Sequence, residues 1–270
     1  MIQQALDFRT ESDYLNRILQ PINPSYFKSP TQFKQWTIDT VLQHLHYGNI
    51  AADLSLRNQN AFDSLLNDIQ RAKIEGKSMV EHTRETLGNP TGTSLLRTWH
   101  EFCSEMAGYF HSSDPKIRVK WFGPEMSVLS SITARLMETW SHSQSIYDML
   151  GHNRENYDYI KNIVILGNNT FQWTFTNREE PVPAAKPFLQ LSGPSGIQWK
   201  FNEDSETERI KGPAIDFCQV VTQTRNVKDT KLEINGQTAT RWMNIAQCFA
   251  GPPSDPPLAG ARFTQKKLGL

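Results

Sequence analysis

The chain has 270 residues, and its 28 Lys plus Arg are balanced by 28 Asp plus Glu, so the formal net charge is zero. Without a net positive charge, no long-range field would draw the protein to nucleic acid or to an anionic membrane surface. No window approaches the roughly 20 apolar residues of a spanning helix, and the first residues lack a secretion signal. We therefore expect a soluble, cytoplasmic protein without nucleic-acid or membrane partners and with room for two domains.

The three cysteines, Cys103, Cys218 and Cys248, lie far apart and form no Cys-x-x-Cys pair. An odd number of cysteines without such a pair argues against a disulfide framework and against a zinc site made of thiolates. We expect three buried, reduced thiols.

The first 152 residues are predicted to be mainly helical, because apolar side chains recur there at helical spacing. Pro21 and Pro24 end the first of these helices. The predicted helices cover residues 11–19, 36–56, 60–73, 93–110 and about 126–150. Several amphipathic helices of this length most simply form a helical bundle.

Beyond Gly151 the periodicity changes. A helix is predicted over 155–166, and the alternation of Phe171, Trp173 and Phe175 with polar residues then predicts a half-buried strand. Two further alternating runs, 189–191 and 197–201, flank a Gly-Pro-Ser-Gly sequence and predict a hairpin.

The rest of this second part is predicted to contain a helix from Gly212-Pro213 through Val221, a short strand over 231–234 and a closing helix over 238–249. Together these elements predict a small α+β domain over residues 153–250. The Pro-rich segment 251–270 is expected to be a loose tail.

Glu138 and His142 are spaced Glu-x-x-x-His within a predicted helix, which places both side chains on one face, one turn apart. Their neighbours on that face are small: Ser131, Ala134, Ser141 and Ser145. Small residues beside two side chains that can bind metal leave room for a ligand, whereas a packing face would carry Leu or Ile. The same spacing also suits a weak surface pair of Glu and His.

The helix over 36–56 offers two candidates for a third ligand, His44 and His46, which lie about 200° apart and cannot face the same point. His44 shares its side with small residues, namely Thr37, Thr40, Gly48 and Ala51. His46 lies with Asp39, Leu42, Ile50 and Asp53, which predicts a mixed, solvated side. His44 is therefore the better third ligand.

The remaining histidines, His82, His100, His111 and His152, have no such partner and are predicted to be ordinary surface or core residues. Two imidazoles and one carboxylate form a donor set that suits Zn²⁺, with Ni²⁺, Fe²⁺ or Mn²⁺ chemically possible, and that leaves positions for water or substrate.

Several motifs in this chain resemble a known family. They are Trp36-Thr37-Ile38 with His44-Leu45 downstream, Trp121-Phe122-Gly123-Pro124-Glu125-Met126-Ser127, the run from Ala134 to Gln144 that contains Glu138 and His142, Gly212-Pro213-Ala214-Ile215-Asp216-Phe217 followed by Arg225, and Ala246-Gln247 with Phe249-Ala250-Gly251-Pro252-Pro253. The chain resembles the DinB/YfiT-type metal-binding bundle superfamily, and more closely the uncharacterised metal-binding relatives of mycothiol-dependent maleylpyruvate isomerase.

The resemblance implies that His44, Glu138 and His142 are the three metal ligands. It also implies an up-and-down four-helix bundle over residues 1–152, followed by a small α+β domain that leans over the site. In the isomerase relatives the metal activates a low-molecular-weight thiol, and the thiolate adds to an unsaturated substrate. An arginine of the second domain assists there, and Arg225 would hold the carboxylate of a substrate or thiol.

Two features weaken the transfer of that chemistry. Close relatives usually read His-Gly-Gln-Asp after the Glu, whereas this chain has His142-Ser143-Gln144-Ser145 and so lacks an acidic residue that would support the metal ligands or carry a proton. Arg225, which lies near Lys228, equally suits a surface or helix C-terminal arginine.

Three functions remain open from the sequence. The first is a metal-dependent isomerase or transferase that uses a thiol cosubstrate on a small electrophilic substrate. The second is a metal-dependent hydrolase or lyase, which is less favoured because Glu138, as a ligand, is not free to act as the general base. The third is a non-catalytic binding module, in which metal stabilises the helices or the bundle binds a ligand or partner protein; the serine at 145 favours it. Either a monomer or a homodimer is compatible with the sequence.

Overall fold

The computed structural model describes residues 1–266, which divide into two compact units, 1–146 and 147–266. The division falls within the last helix of the first unit, whereas the sequence pattern placed the boundary at residue 152. Each unit has its own buried core.

The first unit is helical. α1 packs against α5, α5 against α2, and α2 against α3 and α4. The helices are α1 (Gln3–Leu19), α2 (Ile38–Arg57), α3 (Gln59–Ile74), α4 (Met79–Thr86), α5 (Gly92–Ser112) and α6 (Val128–Leu150), the last of which continues into the second unit. Two short strands, β1 (Arg118–Val119) and β2 (Met126–Ser127), pair antiparallel before α6.

Side-chain caps explain where several of these helices begin. Thr37 Oγ1 accepts a hydrogen bond from the Thr40 amide at 3.1 Å and starts α2, and Asn58 Oδ1 does the same for Ala61 in α3. Such caps satisfy amides that have no partner within the helix. Ser78 and Glu81 form a capping box at α4, a short helix that the apolar pattern did not predict. α1 begins at Gln3, well before the predicted start at residue 11.

The core of the first unit is formed by large side chains from its long helices, and Trp99 and Trp140 are fully buried in it. A second cluster joins Tyr47 and Ala51 of α2 to Phe62 of α3, and Trp121 stacks on Phe62 with ring centroids 6.4 Å apart. Burial of these aromatic rings is a large apolar contribution that holds α2 in place.

The second unit combines helices with a four-stranded sheet in the order β4-β3-β5-β6. β3 pairs parallel with β5, while the β3–β4 and β5–β6 pairs are antiparallel. Its elements are α7 (Lys161–Asn169), α8 (Phe171–Thr176), β3 (Phe188–Ser192), β4 (Gln198–Phe201), β5 (Arg209–Pro213), α9 (Ala214–Val221), β6 (Glu233–Asn235) and α10 (Gln237–Ile245). This confirms a helix-rich fold in which an α+β part follows a helical part.

The hairpin around Gly193 is confirmed. The Gly193 amide donates to the Ile197 carbonyl at 2.8 Å, and Leu191 faces Trp199 across the pair of strands. A side chain at Gly193 would meet the Trp199 ring at 2.6 Å, so the turn requires glycine there.

The predicted strand over Phe171–Phe175 is wrong, because these residues form α8. Phe171, Thr174 and Phe175 are buried on one helical face, while Trp173 is 37% exposed. A run of only five residues fits both periodicities, and the contact of Phe171 with Trp242, at a centroid distance of 5.0 Å, favours the helix. The sequence also failed to predict β5, and the helix predicted over 155–166 begins only at Lys161.

The segment 251–266, expected to be a loose tail, contains no helix or strand but is hydrogen-bonded to the second unit. Asn226 donates to the Pro257 carbonyl, Arg262 to the Gln223 carbonyl and Thr264 to Asp148. Hydrogen bonds donated both by this segment and to it thus hold the segment, although it forms no regular structure. The rest of the predicted tail, 267–270, lies outside the described residues. No helix within residues 1–266 is both long and apolar enough to cross a membrane.

Candidate metal centre

The structure brings together the three side chains predicted as metal ligands. α2 supplies His44, and α6 supplies Glu138 and His142 one turn apart. The Nε2 atoms of His44 and His142 each lie 3.2 Å from Oε2 of Glu138, and one ligand atom of each residue lies within 4.8 Å of the others. In the part of the chain that the structure describes, no other three His, Cys, Asp or Glu side chains converge in this way.

The protonation states of Glu138 and His142 suit metal binding. Burial by itself raises the pKa of Glu138, but hydrogen bonds from His142 and His44 outweigh it and hold that pKa well below its usual value. Burial, reinforced by the neighbouring His44, lowers the pKa of His142 to about 4. At neutral pH the pair is therefore a carboxylate and a neutral imidazole, the forms in which these groups bind metal.

The donor set fits a divalent ion on chemical and geometric grounds. Ligand atoms about 2.1 Å from a tetrahedral Zn²⁺ lie roughly 3.4 Å from one another, which is close to the 3.2 Å between each Nε2 and Oε2 of Glu138. The His44 side chain is 38% exposed, against 20% for Glu138 and 14% for His142. The cluster is thus open on the His44 side, as a site with room for water or substrate would be.

Two aromatic residues from the segment before α2 border the cluster. The Trp36 ring is nearly parallel to that of His142, with centroids 5.7 Å apart, and its centroid lies 5.3 Å from that of His44. Phe33 meets the His142 ring edge-on at 5.0 Å. Of these two residues the sequence highlighted only Trp36, as part of a family motif, and nothing in the spacing pointed to Phe33.

Arg135 occupies part of the space that the small residues beside His44 were expected to leave open. Its guanidinium is buried, donates from Nε to Asn49 Oδ1 at 2.9 Å, and lies so close to Gly48 that a Cβ there would be 2.8 Å from it. Glycine at position 48 therefore accommodates a buried cation. The charge of Arg135 lies within electrostatic range of Glu138 and His142.

His46 was predicted to lie on a solvated side of α2. It is instead buried, with 7% of its surface exposed, and packs edge-on against Phe102. Burial lowers the pKa of His46 to about 4. The prediction was wrong because the helix is surrounded: Asp39, Leu42 and Asp53 on the same side are also buried.

The other histidines lie outside the cluster, as predicted. His82 pairs with the Tyr47 hydroxyl, His100 with Asp13, and His111 with the Ile2 carbonyl. His152 follows the C-terminus of α6.

Arg225, the predicted catalytic arginine, lies in the second unit in a buried ion pair. Its Nη1 and Nη2 donate to the two carboxylate oxygens of Asp148 at 2.8 and 2.6 Å, and Nη1 also donates to the Thr224 carbonyl. These contacts describe a structural arginine, and a role for Arg225 toward substrate stays a prediction. Ser145, where the family resemblance implies an acid, donates to the His142 carbonyl at 2.8 Å.

Cys103, Cys218 and Cys248 are buried thiols that are not in disulfides, as expected. Burial raises the pKa of Cys103 to about 12 and that of Cys218 well above its usual value. Neither thiol is ionised at neutral pH, so neither serves as a nucleophile.

A helical unit with a convergent His-Glu-His cluster, followed by an α+β unit, defines a class of two-unit proteins with a candidate metal centre on the helices. The chain belongs to the family of the mycothiol maleylpyruvate isomerase N-terminal domain, whose model matches residues 8–147.

The chain is also similar to individual proteins of known sequence or structure. Two proteins of Mycobacterium tuberculosis, each described as uncharacterized, are 32% identical to this chain over 248 residues, which cover 92% of it and 95% of them. Two solved structures of the mycothiol-dependent maleylpyruvate isomerase, one of them of a point mutant, are 14% and 15% identical, cover 81% of this chain and 87% of theirs, and give a TM-score of 0.49.

Proposed function

We propose that this protein is a metal-dependent enzyme of the maleylpyruvate isomerase type: a thiol-using isomerase or transferase that acts on a small electrophilic substrate. His44, Glu138 and His142 would hold a divalent ion, for which Zn²⁺ is proposed first and Ni²⁺, Fe²⁺ or Mn²⁺ are chemically possible. The proposal includes an up-and-down four-helix bundle in the first unit, a cytoplasmic location and no nucleic-acid partner.

The observation that carries the proposal is the convergence of Glu138 with two imidazole Nε2 atoms in a cluster that is open on one side. Membership of the mycothiol maleylpyruvate isomerase family supports the thiol and the reaction type. A divalent ion held there would supply positive charge that stabilises a thiolate at neutral pH.

Residues of the chain itself would bind the ion and leave access to it. Glu138 is ionised and His142 is uncharged, so metal binding at His142 requires only the tautomer whose Nε2 lone pair faces the ion. The exposed side of His44 leaves access for a thiol and its substrate. A cosubstrate would supply the nucleophile, because the thiols of Cys103, Cys218 and Cys248 are all buried.

Elemental analysis of the purified full chain tests the metal site. We expect one equivalent of divalent metal in the wild type and little in His44→Ala, Glu138→Gln or His142→Ala. His100→Ala is the matched control, because His100 also pairs with a carboxylate, Asp13, in the first unit but lies outside the cluster. Equal metal content in the wild type and His142→Ala would exclude the proposed site.

Spectroscopy of the Co²⁺-substituted protein tests the thiol. Mycothiol, glutathione and bacillithiol are each titrated into the sample, and at least one should shift the visible bands with saturation. If none of the three changes the spectrum while Co²⁺ remains bound, the thiol-using function is excluded.

One observation favours a second function, a non-catalytic module that metal stabilises. Ser145 stands where the family resemblance implies an acid, and its hydroxyl donates to the His142 carbonyl of its own helix. A site without that acid would bind metal yet lack support for catalysis. Metal in the wild type, together with a Co²⁺ spectrum that no thiol alters, is the result expected for this alternative.

A further inference from the structure

Residues 30–37, which we name the aromatic turn, form a tight loop directly before α2. Pro30 and Thr37 make an isolated antiparallel bridge, and the Thr31 amide donates to the Trp36 carbonyl at 2.8 Å. At its tip, Lys34 and Gln35 have φ angles of 50° and 58°. Two consecutive side-chain-bearing residues in the left-handed region are strained, and such strain persists where the surrounding structure holds it.

The geometry of the turn places its two aromatic rings beside both imidazoles of the candidate metal centre. Trp36 lies parallel to His142 within 7°, with centroids 5.7 Å apart, and contacts His44 at 5.3 Å. Phe33 packs edge-on against Trp36 at 5.1 Å and against His142 at 5.0 Å. Both imidazoles thus pack against aromatic side chains of the same turn of the chain.

Metal-binding imidazoles are usually oriented by a hydrogen bond from the second ring nitrogen to a carboxylate or carbonyl. Within residues 1–266, the hydrogen-bonding contacts of the His44 and His142 side chains are those that join Nε2 to Glu138. The orientation of both rings about that contact therefore depends on the rings packed against them, and Trp36 is the one that contacts both.

We infer that the aromatic turn is a positioning element for the metal centre, with Trp36 as the positioning residue. It holds His44 and His142 so that both Nε2 atoms face Glu138, and it closes the side of the cluster at His142 while the His44 side stays open. The inference rests on the proposed function only in requiring that the cluster bind a metal.

The test compares Co²⁺ binding by the wild-type full chain with that by Trp36→Leu and Trp36→Phe. Trp36→Leu should weaken Co²⁺ binding by about 10- to 100-fold and change the intensity of the visible bands, because freed imidazoles sample several orientations. Trp36→Phe, which keeps an aromatic ring, should restore both affinity and spectrum. Trp173→Leu is the control, since Trp173 is a partly exposed tryptophan of the second unit.

Circular dichroism and thermal melting establish that each variant is folded. A folded Trp36→Leu with wild-type affinity and spectrum overturns the inference. If Trp36→Leu does not fold, Phe33→Leu takes its place, with a smaller loss of affinity and an altered spectrum expected; unchanged values overturn the inference. Failure of the wild type itself to bind Co²⁺ would instead overturn the proposed function, so the two failures are distinguishable.

Discussion

Glu138 and Asp148 are two carboxylates on the same helix, α6, and their partners give them different roles. Glu138 accepts contacts from two imidazoles and is 20% exposed. Asp148 is 2% exposed and accepts two hydrogen bonds from Arg225 and one from Thr264. An imidazole can present a lone pair to a metal, whereas a guanidinium stays protonated and has no acceptor.

The type of partner, more than burial of the acid, separates a candidate metal centre from a structural ion pair. The two sites also differ in solvent exposure. The metal cluster is open on the side of His44, whereas the side chains of Arg225 and Asp148 are buried. Three substitutions test this contrast between the metal centre, its surroundings and the ion pair. They are given in order of decreasing effect on the free energy of unfolding.

The largest effect is expected from Arg225→Met. The substitution leaves Asp148 buried without its main partner, which should lower the free energy of unfolding of the second unit by about 3–5 kcal/mol. Urea denaturation measures this loss. Arg241→Met is the control, because it breaks the exposed Arg241–Glu180 pair and should lower the free energy of unfolding by less than about 1 kcal/mol. Metal content should be unchanged. A stable Arg225→Met protein would contradict the structural role and favour the predicted catalytic one.

Glu138→Gln should act on metal-dependent stability. In the wild type, Zn²⁺ at 100 times its Kd should raise the free energy of unfolding of the first unit by about 2.7 kcal/mol, and a chelator should reverse the gain. Glu138→Gln should lose this response. Asp13→Asn, which alters the other carboxylate–histidine pair of this unit, should keep it. A Zn²⁺ response that persists in Glu138→Gln would place the ion elsewhere.

Gly48→Ala should have the smallest effect of the three. The added Cβ would lie 2.8 Å from the buried guanidinium of Arg135, which must then move; because these atoms end a flexible side chain, we expect a cost of about 1 kcal/mol. Gly108→Ala in α5 is the control, because no atom lies within 4 Å of its Cβ position, and a slight gain in stability is expected there. Thermal melting compares the two variants. Equal melting temperatures would show that the Arg135 guanidinium adjusts freely.

The sequence predicted the features that local spacing controls. The five long helices of the first unit, the hairpin around Gly193 and the pairing of Glu138 with His142 one turn apart all follow from periodicity or turn chemistry. The choice of His44 over His46 also followed from helix geometry, although the reason given for His46, a solvated side, was wrong because that side is buried.

The sequence did not predict the features that depend on residues far apart in the chain. Phe171–Phe175 is a helix because it packs on Trp242, which comes about 70 residues later. The space beside Gly48 is filled by Arg135, and Arg225 is paired with Asp148 across 77 residues. No spacing rule relates positions so distant.

By itself, then, the sequence determined which residues are able to bind a metal and which helical face carries Glu138 and His142, because both follow from residue type and the helical repeat. Only the tertiary structure decided that His44 meets them and that burial together with hydrogen bonding sets the ionisation of Glu138. It likewise decided that Trp36 lies against both imidazoles. The physical reason is that chemistry is local to a side chain, whereas desolvation and orientation come from whatever the fold packs around it.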